Sequence, residues 1–320
     1  MSEVAIRRPP ERQGVAAAGQ DDVLAKEQVL KGILADMDSV IVAFSGGVDS
    51  TYLAYVATEV LGDRALCVTA DSPSYPEHHR ALALRVAEAF SLRHEIIRTD
   101  EMARLEYRVN PANRCYYCKH ELYTHLGALA RQRGFLYLAD GSNADDHGDD
   151  RPGRHAAREF GVRSPLDEAG LGKTEIRELS RRAGLPTWSE PASACLSSRI
   201  PYGHEVTTGK LRMIERAENV LRELGFRVCR VRHHETVARL EIAQDEMARA
   251  LEPAVRATIL RELTRIGYHY VSLDLQGYRA GSLNEPLRRR DDRAPGLGAR
   301  PEPAPAGPGR HPGRPAANDP

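Results

Sequence analysis

The chain has no excess of either charge: 45 lysines and arginines balance 45 aspartates and glutamates over 320 residues. That balance gives no global attraction to nucleic acid or to an anionic membrane. No apolar run approaches the length needed to span a bilayer. Residues 1–20 carry Arg7, Arg8 and Arg12 but no apolar centre, so they do not read as a secretory signal. A cytoplasmic enzyme is the resulting expectation. Cysteine is scarce. In a reducing compartment Cys67, Cys115, Cys118, Cys195 and Cys229 are expected as thiols or metal ligands, not disulfides.

Large apolar residues are also nearly missing from the ends. Residues 1–20 are polar and rich in Ala and Gly, and residues 288–320 are dominated by Pro, Gly, Arg and Ala. Such segments cannot bury enough surface to offset the entropy of ordering them, so both are expected to be disordered.

Between these ends the pattern is periodic. Residues 21–36 predict an amphipathic helix with Val23, Leu24, Val29, Leu30 and Leu34 on or near one face. Apolar, β-branched runs at 39–44, 65–70, 94–98 and 136–139 predict strands. Helical stretches at 51–61, 77–90 and around 120–132 separate them. Alternation of this kind argues for an α/β fold with a doubly wound parallel sheet and a ligand at the carboxyl ends of the strands. The pattern changes after about Tyr202. A helix over 207–224, two strands at 228–233 and 237–242, a helix over 244–266 interrupted at Pro253, and a strand at 268–275 predict a smaller α+β C-terminal domain. The expected division is 21–202 and 203–287.

Ser45-Gly46-Gly47-Val48-Asp49-Ser50 lies between the first strand and the following helix. Two glycines allow a sharp turn and close approach of backbone to a ligand. Ser45, Ser50 and Thr51 add hydroxyls beside the free N–H groups of a helix start, a ready anion site. No lysine follows the second glycine, which excludes the Gly-x-x-x-x-Gly-Lys-Ser/Thr loop. Asp71-Ser72 and Asp140-Gly141 fall at two other strand ends, and carboxylates there commonly hold Mg²⁺ beside a triphosphate. Lys173, downstream in Gly172-Lys173-Thr174, is either a phosphate clamp or a surface residue.

Cys115 and Cys118 are three residues apart near a helix start, a spacing that fits zinc, an iron–sulfur cluster or a redox dithiol. Cys195 lies far along the chain, with no fourth ligand for a tetrahedral zinc site in a recognisable motif. Three thiolates suit a cubane cluster with one open iron. Cys67, in an apolar strand, and Cys229, in the hairpin, read as structural. Strand alternation puts Arg230 and Arg232 on one face, where paired guanidiniums suit a phosphate or carboxylate ligand or a cross-strand salt-bridge ladder.

The glycine turn resembles the pyrophosphate loop of the N-type ATP pyrophosphatases, which have an adenine nucleotide α-hydrolase-like fold. These enzymes cleave ATP between the α and β phosphates and adenylate a carbonyl oxygen. Its succession with Asp140-Gly141-Ser142-Asn143, Asp150-Arg151-Pro152-Gly153, residues 195–203 and Arg230-Val231-Arg232 resembles the LarE family of ATP-dependent sulfur transferases, from about Val23 to Leu283. The resemblance implies adenylation of pyridinium-3,5-biscarboxylic acid mononucleotide and replacement of the activated oxygen by sulfur, in assembly of the nickel-pincer nucleotide cofactor of lactate racemase. It implies ATP and Mg²⁺ as cofactors, bound by Ser45, Gly46, Gly47, Val48, Asp49, Ser50, Asp71, Ser72, Asp140 and Gly141. Cys195, Asp49 and Arg199 are the candidate catalytic residues, and Arg199, Glu218, Arg230 and Arg232 the candidate substrate contacts.

Some members of that family sacrifice one cysteine, which ends as dehydroalanine. Others hold a 4Fe–4S cluster on three cysteines, and its open iron carries an extra sulfide. Cys115, Cys118 and Cys195 match the second type. The sacrificial cysteine of the first type falls one residue earlier, at Ala194. The expected partners are a small-molecule nucleotide, other copies of the chain in a homo-oligomer and other proteins of cofactor assembly, with no membrane and no nucleic acid. A tRNA thiolase, an amide-forming synthetase of the NAD or GMP synthetase kind and a non-catalytic nucleotide-binding module are the rival readings.

Overall fold

The computed structural model describes residues 16–148, 152–191, 194–279 and 281–285. Asp150 and Arg151, Ser193 and the tail from residue 288 lie outside them. The backbone separates into two units, Met1–Ala280 and Gly281–Pro320. In the second, one helical turn spans Ser282–Asn284.

Four parallel strands, β1 (Val40–Ala43), β2 (Ala65–Asp71), β3 (His94–Arg98) and β4 (Tyr137–Ala139), form a sheet in the order β3-β2-β1-β4. Successive residues of β1 point to opposite faces. Val40 and Val42 meet α1 (Ala16–Asp36), α2 (Val48–Leu61) and α8 (Lys173–Arg182) in one core with Leu30, Leu34, Leu53, Val56 and Ile176. Ile41 and Ala43 meet α5 (Arg114–Arg133) and α6 (Pro152–Glu159) in another, with Tyr123, Leu126 and Ala156. Helices on both faces of a parallel sheet are the doubly wound arrangement that the alternation predicts. α3 (Glu77–Ala89) covers the α1 face through Leu82 and Val86, and α4 (Leu105–Arg108) and α7 (Pro165–Glu168) are single turns.

Three details differ from expectation. Helix α1 begins at Ala16, within the stretch expected to be disordered. On that helix Leu24 and Val29 are exposed, because Leu30 and Leu34 define the buried stripe and these two lie off it. Helix α5 starts at Arg114, so Cys115 and Cys118 lie in its opening turns.

The C-terminal sheet has the order β5-β6-β7, where β5 (Cys229–His234) and β6 (Val237–Ile242) are antiparallel and β7 (Tyr270–Leu273) runs parallel to β6. α9 (Thr208–Glu223), α10 (Met247–Ala250) and α11 (Pro253–Ile266) flank it. Helix α9 opens where the Thr207 hydroxyl accepts from Lys210 N at 3.2 Å, an N-cap. Gly225, at φ +85°, supplies the left-handed turn after its end. Its stripe serves two cores: Leu211 and Ile214 pack with Tyr107, Leu196 and Ile200, while Ala217 and Leu221 pack with Val231, Leu240 and Leu263. The helix thus joins the cysteine-bearing loop to the C-terminal sheet. Cys67 and Cys229 are buried core thiols, as expected.

Candidate active site

The chain runs outward from β1 through β2 to β3, then crosses to β4 on the other side of β1. That reversal opens a crevice at the carboxyl ends of β1 and β4, where open α/β sheets take their ligands. The glycine turn follows β1 and Asp140-Gly141 follows β4, so both border it.

Local geometry explains the glycines. Gly46 has φ +68°, and a Cβ there would meet the Ala83 Cβ at 3.0 Å. Gly141 presses on the first turn of α2, where a Cβ would lie 2.9 Å from Ser50 N. Ser45 Oγ and Ser50 Oγ are 3.0 Å apart, and Ser50 Oγ accepts from Ser45 N at 3.2 Å. These bonds fold the turn so that the free N–H groups opening α2 border the crevice.

Asp140 is buried and fully engaged. Its Oδ1 accepts from Ser164 Oγ at 2.9 Å and Ser142 N at 3.1 Å, and its Oδ2 from Tyr123 Oη at 2.9 Å. The Lys119 ammonium stands 5.3 Å from the Tyr123 ring. Asp49 differs: Lys173 Nζ donates to its Oδ2, while its Oδ1 is buried with no hydrogen-bond partner. An orphaned carboxylate oxygen in the first turn of a phosphate-type loop fits a missing cation or donor. Lys173 is itself placed by Asp145, whose Oδ2 accepts from its backbone N at 2.8 Å. Lys173 thus lies against Asp49 in the first turn of α2. Ser72 donates to the buried Glu101 at 2.6 Å, as does Ser74, and Asp71 ends β2.

The thiols converge from two segments. Cys115 is exposed, and Cys118 and Cys195 are half-buried. Arg114 Nη1 donates to Ser197 O at 2.9 Å, and Tyr107 Oη and Ser197 Oγ share a hydrogen bond of 2.6 Å. These bonds hold the Cys195 loop against the opening of α5. The Cys118 thiol is pushed well above its ordinary range, first by burial and then by Glu101, Cys195 and Cys115. Among the described residues no group of three or more His, Cys, Asp or Glu is arranged to hold a single metal ion. A cubane spreads its thiolates over separate irons, a looser requirement than one ion's shell, and the all-thiolate donor set fits it.

Arg199 and Glu218 do not face open space. Arg199 Nε and Nη2 donate to the two Glu218 carboxylate oxygens at 2.8 and 3.1 Å, with both side chains fully buried. Arg199 Nη1 also donates to Ala194 O at 2.7 Å and Cys195 O at 3.0 Å. Glu218 accepts further from Val231 N at 3.1 Å and Arg222 Nη2 at 2.8 Å. Arg232 donates to Ser198 O and to Glu241, each at 2.7 Å. Arg230 lies 5.2 Å over the Tyr278 ring. The arginine face of β5 thus backs the cysteine loop. Tyr123, Tyr107, Arg114 and Glu101 carry no motif and are found only through these partners.

The profile of the NAD synthase family matches residues 24–133, which contain the glycine turn and Cys115 and Cys118. The uncharacterized protein slr1717 of Synechocystis sp. is 42% identical over 265 residues, covering 83% of this chain and 99% of its own length. The pyridinium-3,5-bisthiocarboxylic acid mononucleotide synthase of Lactiplantibacillus plantarum is 35% identical over 265 residues, covering 82% of this chain and 95% of its own. The uncharacterized protein MJ0830 of Methanocaldococcus jannaschii is 28% identical over 241 residues, covering 75% and 91%. With that likeness to the synthase spanning four-fifths of its length, the chain belongs to the LarE family.

Proposed function

We propose that this protein is an ATP-dependent sulfur transferase that turns a carboxylate of pyridinium-3,5-biscarboxylic acid mononucleotide into a thiocarboxylate, in biosynthesis of the nickel-pincer nucleotide cofactor of lactate racemase. The observation that carries this reading is the glycine turn and Asp140-Gly141 meeting at the switch point, with Gly46 and Gly141 both pressed so closely that a Cβ would clash. The name of the L. plantarum relative supports the choice of substrate.

The N–H groups from Gly46 to Ser50 bind the ATP phosphates, and Asp49 and Asp71 are the carboxylates available to Mg²⁺, while Asp140, its oxygens engaged by Ser164, Ser142 and Tyr123, shapes the loop beside them. Lys173 turns from Asp49 toward the phosphates when they arrive. The substrate carboxylate attacks the α-phosphorus, pyrophosphate leaves and an acyl-adenylate forms. Positive charge and backbone donors around the loop stabilise the charge that develops. Hydrosulfide then adds to the activated carbonyl, AMP departs with the carboxyl oxygen, one proton is released and the thiocarboxylate remains. Cys115, Cys118 and Cys195 would hold a 4Fe–4S cluster, which when bound supplies the sulfide. Arg199 keeps Cys195 in place by binding its carbonyl. Arg230 and Arg232 offer charge to the anionic groups of the substrate.

Anaerobic incubation with ATP, Mg²⁺, sulfide and the biscarboxylated mononucleotide, followed by mass spectrometry, tests this. Exchange of one oxygen for sulfur in the small molecule is the expected result. An unchanged substrate mass contradicts the reading, and a mass loss on Cys195 replaces the cluster route with a sacrificial one.

A further inference from the structure

The connection from β2 into α3 touches three parts of the site at once. Tyr75 Oη donates to Ser45 O in the glycine turn at 2.9 Å. Leu196 N, in the cysteine loop, donates to Ser74 O at 2.8 Å. Glu77 N donates to Glu215 Oε1 on α9 at 2.7 Å, which fixes the opening of α3 against that helix. The next two residues are His78 and His79, with ring centroids 4.1 Å apart. His79 is 6% exposed. The Nδ1 of His78 is buried and has no hydrogen-bond partner, a feature that native structures rarely leave without a reason.

The surroundings of this pair supply one. Arg199 from the cysteine loop and Arg222 and Glu218 from α9 act on both rings, and Arg230 from β5 acts on His79. Burial first, and then Arg222, hold both imidazoles neutral, His78 at about 3 and His79 at about 4. A neutral ring sits among guanidiniums without charge repulsion and still has one N–H to donate. A pair serving only to pack α3 against α9 would need neither a hydrogen-bonding nitrogen left without a partner nor cations from three elements around it.

We propose that His78 is a substrate contact whose Nδ1 hydrogen-bonds an anionic oxygen, from a phosphomonoester or a ring carboxylate, drawn to this face by Arg222 and Arg230. The identification of the ligand as an acidic pyridinium mononucleotide rests on the reading under Proposed function. The contact also gives the Ser74–His79 segment a part in catalysis, because one short connection then touches nucleotide loop, cysteine loop and substrate.

Calorimetric titration at fixed salt tests the contact without requiring turnover. Ribose 5-phosphate carries only the phosphomonoester, and pyridine-3,5-dicarboxylate only the carboxylates. At least one should bind the unaltered protein, about tenfold or more weakly to His78→Leu, and within about threefold of the original affinity to His78→Gln, which keeps a donor. The probe that responds identifies the source of the oxygen. Absence of binding by both probes, equal binding to all three proteins, or equal loss in Leu and Gln variants together with a lowered melting temperature would each overturn the contact. Mass spectrometry with the intact mononucleotide separately tests the reaction, so failure of one leaves the other standing.

Discussion

Arg199 and Glu218 form a bidentate pair at 2.8 and 3.1 Å, with neither side chain exposed. The pair clamps the cysteine loop to α9, because the same guanidinium binds the carbonyls of Ala194 and Cys195. A buried charge deprived of its partner is expensive, about 3–5 kcal/mol. Arg199→Met and Glu218→Gln should each lower stability by roughly that amount in urea unfolding. The double variant should lose less than the sum of the two, because it leaves no charge stranded. Additive losses would mean that the two groups act independently.

Acid should weaken the protein in two stages. His78 and His79 have folded values far below 6.5, so the unfolded chain takes up protons that the folded one refuses. Stability from this source is full above about pH 6.5 and falls as pH drops through about 4 for His79 and about 3 for His78. His94, His233 and His234, also held low chiefly by burial, add the same sign. Glu218 acts lower on the scale. Burial opposes its charge, but Arg199, Arg230 and Arg222 outweigh that and hold it at about 2 against an ordinary 4.5. Its contribution is complete above about pH 4.5 and disappears as pH falls through about 2. Denaturant midpoints measured from pH 7.5 to 4 should decline steadily below pH 6.5. A flat profile over that span would contradict the neutral-histidine assignment.

The two glycines predict a steric phenotype. Gly46→Ala adds a methyl in a left-handed backbone conformation against Ala83, and Gly141→Ala adds one against Ser50 N. Ala83 and the α2 backbone have little room to yield. Each variant should bind ATP at least about tenfold more weakly, read by equilibrium binding, since 1.4 kcal/mol of lost fit suffices for that factor. Gly134→Ala, at φ +74° but with nothing within 4 Å of its Cβ, should lose stability alone and keep its ATP affinity.

Lys173 donates to Asp49 in the first turn of α2. Lys173→Ala should reduce pyrophosphate formation by about 10²-fold, in the range seen for loss of one charge-stabilising donor. Stability should change little, because a partly exposed pair contributes about 1 kcal/mol or less. A fall in stability with unaltered turnover would make the lysine structural.

Cys118→Ser should abolish the brown colour and blue-region absorption expected after anaerobic purification, while ATP binding persists. Retention of a full cluster in that variant would remove Cys118 from the ligand set. Cys67→Ser and Cys229→Ser, in buried core positions, should leave the chromophore and alter stability only.

Much of the nucleotide crevice is legible in the chain because local physics fixes it. The β-branched run at Val40–Val42 has one available role, and the Gly46-Gly47 turn follows it directly. The parallel order and the carboxyl-end position of Asp71 and Asp140 follow from alternation alone. What escapes is set by distant partners. Lys173 and Asp49 are 124 residues apart, and nothing around either announces the other. Tyr107 and Ser197, 90 apart, meet only because the cysteine loop packs on α4. Arg199 and Glu218 read as open ligand contacts until burial reveals them as each other's partners. Leu24 and Val29 mislead for a simpler reason: apolar residues near a helical stripe need not belong to it.

Release of inorganic pyrophosphate from ATP and Mg²⁺, measured with and without pyridinium-3,5-biscarboxylic acid mononucleotide, tests the central claim most directly. Stoichiometric pyrophosphate and AMP that depend on the acid, and vanish in Gly46→Ala, are the predicted result. ADP and orthophosphate, or no cleavage when the acid is supplied, would contradict the account.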